Sequence, residues 1–303
     1  MSSISLSEDD WDTLLRRIDA KECTPFIGAG ASAGTVPLAS ELATRWAKDY
    51  EFPLRDSTHL EQVAQFLAIK RSDAMFPKGL IRDLLRETAP PDFAKPFEPH
   101  GVLADLQLPI YLTTNYDGFM YLALKSRGVS ATWKVCGWNE LIRAKEAALL
   151  DGEPDPTHPL VYHLHGHYEL PQSVVLTEDD YLEFLVRLNR DASDPLLLSS
   201  VRTALAEHSL LFVGYSLSDW NFRVLFRGLT GSLPATLRNL SIAVQLDPLP
   251  RDPVEHWLDR AQDYVQKYFT RIQVFTVRVY WGDVKAFSCE LSERWKAFGR
   301  NGR

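Results

Sequence analysis

The stretch Thr24-Pro25-Phe26-Ile27-Gly28-Ala29-Gly30-Ala31-Ser32 decides the fold that the sequence predicts. Its first four residues suit one short buried strand, and the glycines that follow end the strand in a tight turn. Gly28, Gly30 and Ala33 match the spacing G-x-G-x-x-G/A, in which backbone N–H groups approach a pyrophosphate at the start of a helix. This spacing is weak evidence by itself, because a purely structural turn between a strand and a helix uses the same glycines.

Short apolar strands alternate with amphipathic helices along the rest of the chain. The opening helix is predicted to begin with a capping box at Ser7 and Asp10. Further strands are predicted over 110–113, 160–164, 210–213, 241–245 and 272–280, with an extended piece at 174–176. Further helices are predicted over 37–50, 59–70, 78–88, 119–125, 177–189, 195–207, 221–229, 254–268 and 284–298. Loops are predicted for the proline-rich residues 90–99 and the polar residues 151–159.

The predicted strands are apolar at consecutive positions, as strands are when helices cover both faces of a sheet. The predicted fold class is therefore α/β, a Rossmann-like parallel sheet flanked by helices. We expect a single domain over residues 1–303. Within it, the helices of residues 38–100 are expected to form an insertion or lid after the first strand.

Composition excludes several classes of protein. Lys and Arg total 33 against 40 Asp and Glu, so the net charge of −7 argues against a nucleic-acid binder. The cysteines Cys23, Cys136 and Cys289 are odd in number and scattered, which predicts neither a disulfide framework nor a zinc ribbon and favours a reduced cytoplasmic setting. The first twelve residues lack a signal-peptide pattern, and no run of about 18 apolar residues predicts a membrane span.

Asn115 and Asp117 follow the predicted strand 110–113 directly. Ligands of open α/β sheets bind at the carboxyl ends of strands, and two residues separated by one position face the same way in extended backbone. The alternative is an Asx turn that starts the next helix, because Asn and Asp favour such turns. The pattern alone supports both interpretations equally.

Three histidines, His163, His165 and His167, alternate at the end of the strand 160–164. Alternation would place them on one face if the strand continued, although Gly166 favours its end. Three imidazoles in line do not easily surround one metal ion, so a single catalytic histidine is the better functional hypothesis. Its ordinary pKa near 6.5 suits proton transfer at neutral pH. The alternative is that these histidines make structural hydrogen bonds at a strand end.

Gly214 and Ser216 follow the strand 210–213 in a segment that approaches the nucleophile elbow G-x-S-x-G. Ser218 stands where the last glycine belongs, and the only later histidine, His256, falls in a predicted helix, so a serine hydrolase is rejected. A loop that contacts ligand hydroxyls or phosphate is favoured instead. Near the end of the chain, Tyr280 could border an adenine or simply pack in the core.

The four motifs GAGAS, TTNYD, HLHG and VGYS, in this order, resemble those of the SIR2-like (sirtuin-related) family. The resemblance covers roughly residues 20–300 and is closest to the bacterial SIR2-like proteins of anti-phage defence. It implies a Rossmann-like domain that binds NAD as its substrate. It also implies a role for each matching residue. The resemblance implies that His165 is the general base and that Asn115 positions the ribose or the attacking water. The cofactor-binding residues that it implies are Gly28, Ala29, Gly30, Ser32, Asp117, Gly214 and Ser216.

Two departures from that family narrow the implied activity. Three scattered cysteines cannot build the zinc module of protein-deacylating sirtuins, and the Phe-Arg pair after the glycine loop is missing. The resemblance therefore implies an NAD⁺ hydrolase that cleaves the nicotinamide–ribose bond to give nicotinamide and ADP-ribose and needs no metal. A protein deacylase or ADP-ribosyltransferase, and a non-catalytic module that binds NAD or ADP-ribose, are the alternatives.

The same resemblance implies how the activity would be used. We expect the NAD-depleting effector of a bacterial anti-phage system, a cytoplasmic homo-oligomer with no direct contact to nucleic acid or membrane. Family precedent implies control by a separate sensor or activator, such as a HerA-like ATPase or an Argonaute-like protein.

Overall fold

The computed structural model describes residues 6–146, 152–188, 196–215, 240–245 and 276–301. It also describes a few short pieces at 223–225, 228–229, 260, 263–264 and 267. The predicted helices 221–229 and 254–268 lie largely outside the described residues, as do the first residues of the predicted strand 272–280. Ser216 lies outside them as well.

Strands and helices alternate as the sequence predicts. The described strands are β1 (Cys23–Ile27), β2 (Ile110–Thr113), β3 (Thr132–Val135), β4 (Leu160–His163), β5 (Ser209–Val213), β6 (Leu240–Gln245) and β7 (Thr276–Trp281). The described helices are α1 (Glu8–Asp19), α2 (Ala39–Asp49), α3 (Leu60–Arg71), α4 (Phe76–Glu87), α5 (Pro99–Ala104), α6 (Phe119–Ser126), α7 (Glu140–Glu146), α8 (Glu178–Leu188), α9 (Ser199–Glu207) and α10 (Val284–Asn301). The predicted capping box is confirmed, since Ser7 and Asp10 exchange hydrogen bonds at the start of α1.

The described strands form one parallel sheet in the order β3-β4-β2-β1-β5-β6-β7. The chain moves from β1 toward one edge of the sheet, then returns after β4 to place β5 on the other side of β1. The pair β1 and β5 is therefore a topological switch point, where open α/β sheets bind ligands outside their carboxyl ends. The predicted α/β class with a Rossmann-like sheet is confirmed.

Helices cover both faces of the sheet, which explains the apolar runs in its strands. Successive residues of a strand point to opposite faces, so Ile110 and Leu112 pack on one face and Tyr111 on the other. The first face is covered by α8 and α9, and the second by α1, α5, α6 and α10. Tyr280 packs edge-on against Phe287, at 5.1 Å between ring centroids, which favours the packing alternative for this residue.

A third apolar cluster lies between β1 and β2 in the chain and consists of α2, α3 and α4. Trp46, Val63 and Ile81 belong to it, and Val174 and Leu176 pack against them. The segment 174–176 is buried but is not a strand of the sheet; Val175 donates its N–H to the carbonyl of His165 instead. The boundaries proposed for the insertion, residues 38–100, stay a prediction.

Three described elements were missed by the sequence patterns. Helix α5 begins at Pro99, inside a stretch predicted to be a loop. Strand β3 lies at the edge of the sheet and is only partly buried, so it lacks the apolar run that identified the other strands. Helix α7 follows β3 and was not predicted either. Among the described residues, no helix is both long enough and apolar enough to cross a membrane.

Candidate active site

One cavity lies where β1, β2, β4 and β5 end, at the carboxyl edge of the sheet. One side of it consists of residues that follow these strands and includes Ala29, Ser32, Thr114, Asn115, Asp117, His165, Gly214 and Tyr215. Its apolar wall comes mainly from the third cluster and includes Val36, Pro37, Leu42, Leu60, Ile81, Leu84, Leu85 and Leu176. The structure thus brings six of the predicted site residues to one cavity, whereas Gly28 and Gly30 do not line it.

The two glycines of the turn pack against the backbone of Gly214, whereas Ala29 and Ser32 of the same turn line the cavity. Gly28 donates its N–H to the carbonyl of Val213 at 2.9 Å, and Gly30 donates to the carbonyl of Gly214 at 2.9 Å. A Cβ on Gly28 or Gly30 would lie within 3 Å of the Gly214 backbone. These glycines therefore serve the close approach of two loops at the switch point, and their predicted contact with a pyrophosphate stays a prediction.

We expect Gly214→Ala to lower the free energy of unfolding by more than about 2 kcal/mol. Gly214 has a φ of +82°, and a Cβ there would lie 2.3 Å from the amide nitrogen of Ala31. Gly128→Ala is the matched control, because its φ is +74° but a Cβ there would meet no atom within 4 Å. Urea unfolding of both variants measures the difference. Equal losses of stability in the two variants would show that the positive φ at Gly214, and not the contact with Ala31, causes the loss.

A buried hydrogen-bond network joins Asn115, Ser32 and Asp117. The Ser32 hydroxyl donates to Asp117 Oδ2 at 2.9 Å and accepts from Asn115 Nδ2 at 3.2 Å. Asp117 Oδ1 accepts the N–H of Phe119 at 3.1 Å, so the Asx turn that was one alternative for this motif is present. The same carboxylate also lines the cavity. The Asx-turn alternative is therefore confirmed at Asp117, and its predicted contact with a ligand stays a prediction.

The side-chain amide of Asn115 has one orientation. Its Nδ2 donates to the carbonyl of Gly28 and to Ser32 Oγ, both at 3.2 Å. A carbonyl only accepts hydrogen bonds, so the nitrogen must face Gly28, and both of its hydrogens are used. Oδ1 is the atom that Asn115 retains for a ligand in the cavity. It is an acceptor, which suits a ribose hydroxyl or a water molecule.

His165 lines the same cavity from the turn after β4. Its ring lies edge-on to Tyr181 and Phe184 of α8, at 5.3 and 5.1 Å between centroids. Nε2 is buried and has no hydrogen-bond partner among the described residues. Burial lowers the pKa of His165 to about 3, well below the ordinary value assumed from the sequence. His165 is therefore a neutral imidazole at physiological pH, able to accept a proton but only a weak base.

His163 and His167 lie apart from His165, since strand β4 ends at His163 and Gly166 turns the chain with a φ of +86°. The Nδ1–H of His163 donates to the carbonyl of Asn115 at 3.0 Å, and the ring of His167 stacks on Trp133 at 4.3 Å. The structural interpretation holds for both. Among the residues that the structure describes, no group of three or more His, Cys, Asp and Glu could hold a metal ion.

The buried histidines predict a loss of stability in mild acid. Burial lowers the pKa of His163 to about 4 and that of His165 to about 3. In the unfolded chain these side chains take up protons below about pH 6.5, so the unfolded state binds more protons and acid favours unfolding. We expect the free energy of unfolding to fall by about 2 kcal/mol per histidine between pH 7 and pH 5.

Urea unfolding at the two pH values checks this expectation. The double variant His163→Asn, His165→Gln should lose about half of the pH dependence, because burial also lowers the pKa of His167 to about 2 and lowers that of His208. His158→Gln, a change at an exposed histidine, should keep all of it. A double variant with the wild-type pH dependence would show that other groups control the acid limb.

The charges around the cavity favour a cationic ligand. Glu61 and Asp117 contribute carboxylates to its lining. No lysine or arginine is among the described residues that line it, and His165 is neutral. A cavity with acidic groups and low-dielectric walls concentrates positive charge. The apolar wall offers side chains against which an aromatic ring can pack.

The chain matches a known domain family. Residues 109–270, more than half of the chain, match the model of the SIR2-like domain. The chain belongs to the SIR2-like domain family. The resemblance drawn from the motifs is confirmed. The matched region begins just before β2, so the glycine-rich turn of this SIR2-like domain lies outside it.

Curated relatives of the SIR2-like domain carry names from NAD chemistry and defence. An NAD(+) hydrolase ThsA of Cytobacillus dafuensis is 27% identical over 206 residues, which cover 68% of this chain and 37% of the relative. Defense-associated sirtuin 2 of Bacillus subtilis is 30% identical over 209 residues, covering 66% and 18%. An NAD(+) hydrolase ThsA of Bacillus cereus strain MSX-D12 is 32% identical over 124 residues, covering 41% and 23%. The aligned regions thus span less than two fifths of these relatives.

One solved structure, from work on the mechanism and regulation of Sir2 enzymes, aligns with the SIR2-like domain at a TM-score of 0.44 and 14% identity. The alignment covers 97% of this chain and 100% of that one.

Sequence reasoning missed two parts of the candidate site. The apolar wall comes from α2 to α4, whose amphipathic patterns predict helices but not what the helices face. Tyr215 belongs to the motif VGYS but was given no role from the sequence, yet it lines the cavity. No pattern in the sequence alone indicates either position.

Proposed function

We propose that this SIR2-like domain hydrolyses NAD⁺ at the nicotinamide–ribose bond and releases nicotinamide and ADP-ribose. The observation that carries the proposal is the meeting of Asn115, Asp117 and His165 around one cavity at the strand ends. The relatives named NAD(+) hydrolase support the same substrate and reaction. NAD⁺ enters this reaction as a substrate, and we propose no metal.

The chemistry requires little from the protein beyond position and charge. When the bond between ribose C1′ and the nicotinamide nitrogen breaks, the electron pair leaves with neutral nicotinamide and the sugar becomes a cation. The carboxylate of Asp117 stabilises that positive charge, and Asn115 Oδ1 holds the ribose hydroxyl or the water. The water oxygen then bonds to C1′, and one of its protons passes to His165 and on to solvent. A weak base suffices, because water bound to a sugar cation is strongly acidic.

Nicotinamide release from NAD⁺ by the purified chain tests the proposal, with NAD⁺ binding measured by calorimetry in parallel. Release that needs only water and yields ADP-ribose supports the hydrolase. Release that starts only when an acyl-lysine peptide or another protein acceptor is added would favour a deacylase or ADP-ribosyltransferase. Binding without release leaves two options, an enzyme that awaits its activating partner and a non-catalytic module. Adding a candidate partner to the same assay separates them, and continued silence favours the module.

We further infer a role as an NAD-depleting effector in a bacterial anti-phage system. The relative named Defense-associated sirtuin 2 supports this role. Self-assembly, a separate sensor or activator such as a HerA-like ATPase or an Argonaute-like protein, and a cytoplasmic location belong to the same proposal. Expression of the chain in bacteria, with cellular NAD⁺ followed during phage infection, tests it. An NAD⁺ level that infection leaves unchanged would contradict the effector role.

A further inference from the structure

We propose that Tyr215 is a positioning residue for NAD⁺ cleavage, holding Asn115 in place through its hydroxyl group. The inference deepens the proposed function and rests on it. Tyr215 follows Gly214 at the end of β5, on the opposite side of β1 from Asn115. Its half-buried side chain crosses the switch point, and its ring would lie 2.9 Å from a Cβ built on Gly28.

The ring of Tyr215 is seated by its neighbours. It lies edge-on to Phe26 at 5.5 Å and to Phe212 at 6.4 Å between centroids. Gly28 lies directly beneath it, so the absence of a side chain at position 28 makes room for this ring. The position of the hydroxyl is therefore set by packing on β1 and β5, independently of any ligand.

Two hydrogen bonds join the Tyr215 hydroxyl to described residues, and the direction of both is fixed. It donates its single proton to the carbonyl of Ile27 at 3.0 Å. It must then accept from the Thr114 hydroxyl, whose Oγ1 lies 2.7 Å away. Tyr215 thus connects the last residue of β1 with the first residue after β2.

The same carbonyl connects Tyr215 with Asn115. The carbonyl of Ile27 also accepts from the Thr114 N–H at 3.1 Å and from Thr113 Oγ1 at 3.0 Å. Thr113 Oγ1 in turn accepts the N–H of Asn115 at 2.9 Å. An unbroken series of hydrogen bonds therefore leads from the Tyr215 hydroxyl to the backbone of Asn115.

Loss of this series would shift the segment that carries Asn115. The two bonds of Asn115 Nδ2, to Gly28 and Ser32, are long at 3.2 Å, so a small shift breaks them and frees the amide to rotate. Oδ1 would then no longer be held toward the ligand. A misplacement of about 1 Å costs about 100-fold in rate. The expected effect is therefore on turnover, with little effect on NAD⁺ binding.

The variant Tyr215→Phe tests the inference, since it removes one oxygen and keeps the ring. We expect kcat for nicotinamide release to fall about 10- to 100-fold, while the Kd for NAD⁺ changes less than about threefold. Tyr280→Phe is the matched control, because Tyr280 packs near Phe287 outside the cavity lining. It should leave both constants unchanged.

A double-mutant cycle with Thr114→Val separates a positioning role from general damage. Both changes break the bond between Thr114 and Tyr215, so the double variant should be little slower than Tyr215→Phe alone. Fully additive losses would overturn the inference, as would a Tyr215→Phe variant with the wild-type kcat. A rise in Kd that accounts for the whole effect would overturn it too, since Tyr215 would then bind substrate directly. A wild-type chain that does not cleave NAD⁺ even with a candidate activating partner added would overturn this inference together with the proposed function.

Discussion

His165→Ala is expected to lower the rate of nicotinamide release from NAD⁺ by about 10²- to 10⁴-fold. The neutral imidazole lines the cavity, and its buried Nε2 has no hydrogen-bond partner among the described residues. In the proposed reaction, this imidazole takes the proton that water gives up when it adds to the sugar. Alanine removes the proton acceptor and leaves Asn115 and Asp117 in place, so NAD⁺ binding should change far less than turnover.

Four further variants make this result decisive. His165→Gln keeps the size of the side chain without its basic nitrogen, so it should be as slow as the alanine variant even if alanine weakens packing on Tyr181. Asn115→Ala should also abolish release, and the double variant should be no slower than either single one, because the two residues act in one step. His158→Ala, at an exposed histidine, should leave the rate unchanged. A His165→Gln enzyme with the wild-type rate would show that another group accepts the proton.

The neutrality of His165 also shapes the pH profile. A group with a pKa of about 3 in the folded chain does not titrate between pH 5 and pH 8. The kcat/KM of the free enzyme should therefore show no acid limb near pH 6.5, as long as the protein stays folded. A general base with the ordinary histidine pKa near 6.5, as assumed from the sequence, would instead produce such a limb.

The sheet could be predicted from the sequence because a strand that is buried on both faces has apolar residues at consecutive positions. Strands such as β2 and β5 are apolar at consecutive positions, and the turn after β1 carries two glycines. Strand β3 has no such pattern, because an edge strand with exposed residues does not need an apolar run. Helix α5 was hidden by Pro99, which begins a helix as readily as it interrupts one.

The residues of the candidate site could be predicted from the sequence, but the contacts between them could not. Asn115, Asp117 and His165 were identified because each follows a strand. The pairing of Ser32 with Asn115 and Asp117 depends on the neighbouring positions of β1 and β2 in the sheet, which no local pattern specifies. The low pKa of His165 likewise depends on burial beside Tyr181 and Phe184, which a distant helix supplies.

The second large effect is expected on stability, at a buried ion pair between α4 and α8. Lys78 is 5% exposed, and its Nζ donates to Asp180 Oδ1 at 2.8 Å. The other oxygen of Asp180 accepts the N–H groups of Leu176 and Thr177 at 3.0 Å, which caps the start of α8. Lys78→Met leaves this carboxylate buried without its cation. We expect the free energy of unfolding to fall by about 3–5 kcal/mol.

Urea unfolding of a small set of variants checks this value. Arg45→Met breaks the exposed pair between Arg45 and Asp49 and should cost less than about 1 kcal/mol. The double variant Lys78→Met, Asp180→Asn should be more stable than Lys78→Met alone, because the uncompensated charge is gone while an oxygen remains to cap α8. A Lys78→Met protein within 1 kcal/mol of wild type would mean that water reaches Asp180. The pair would then not fix α8, the helix that carries Tyr181 and Phe184 against His165.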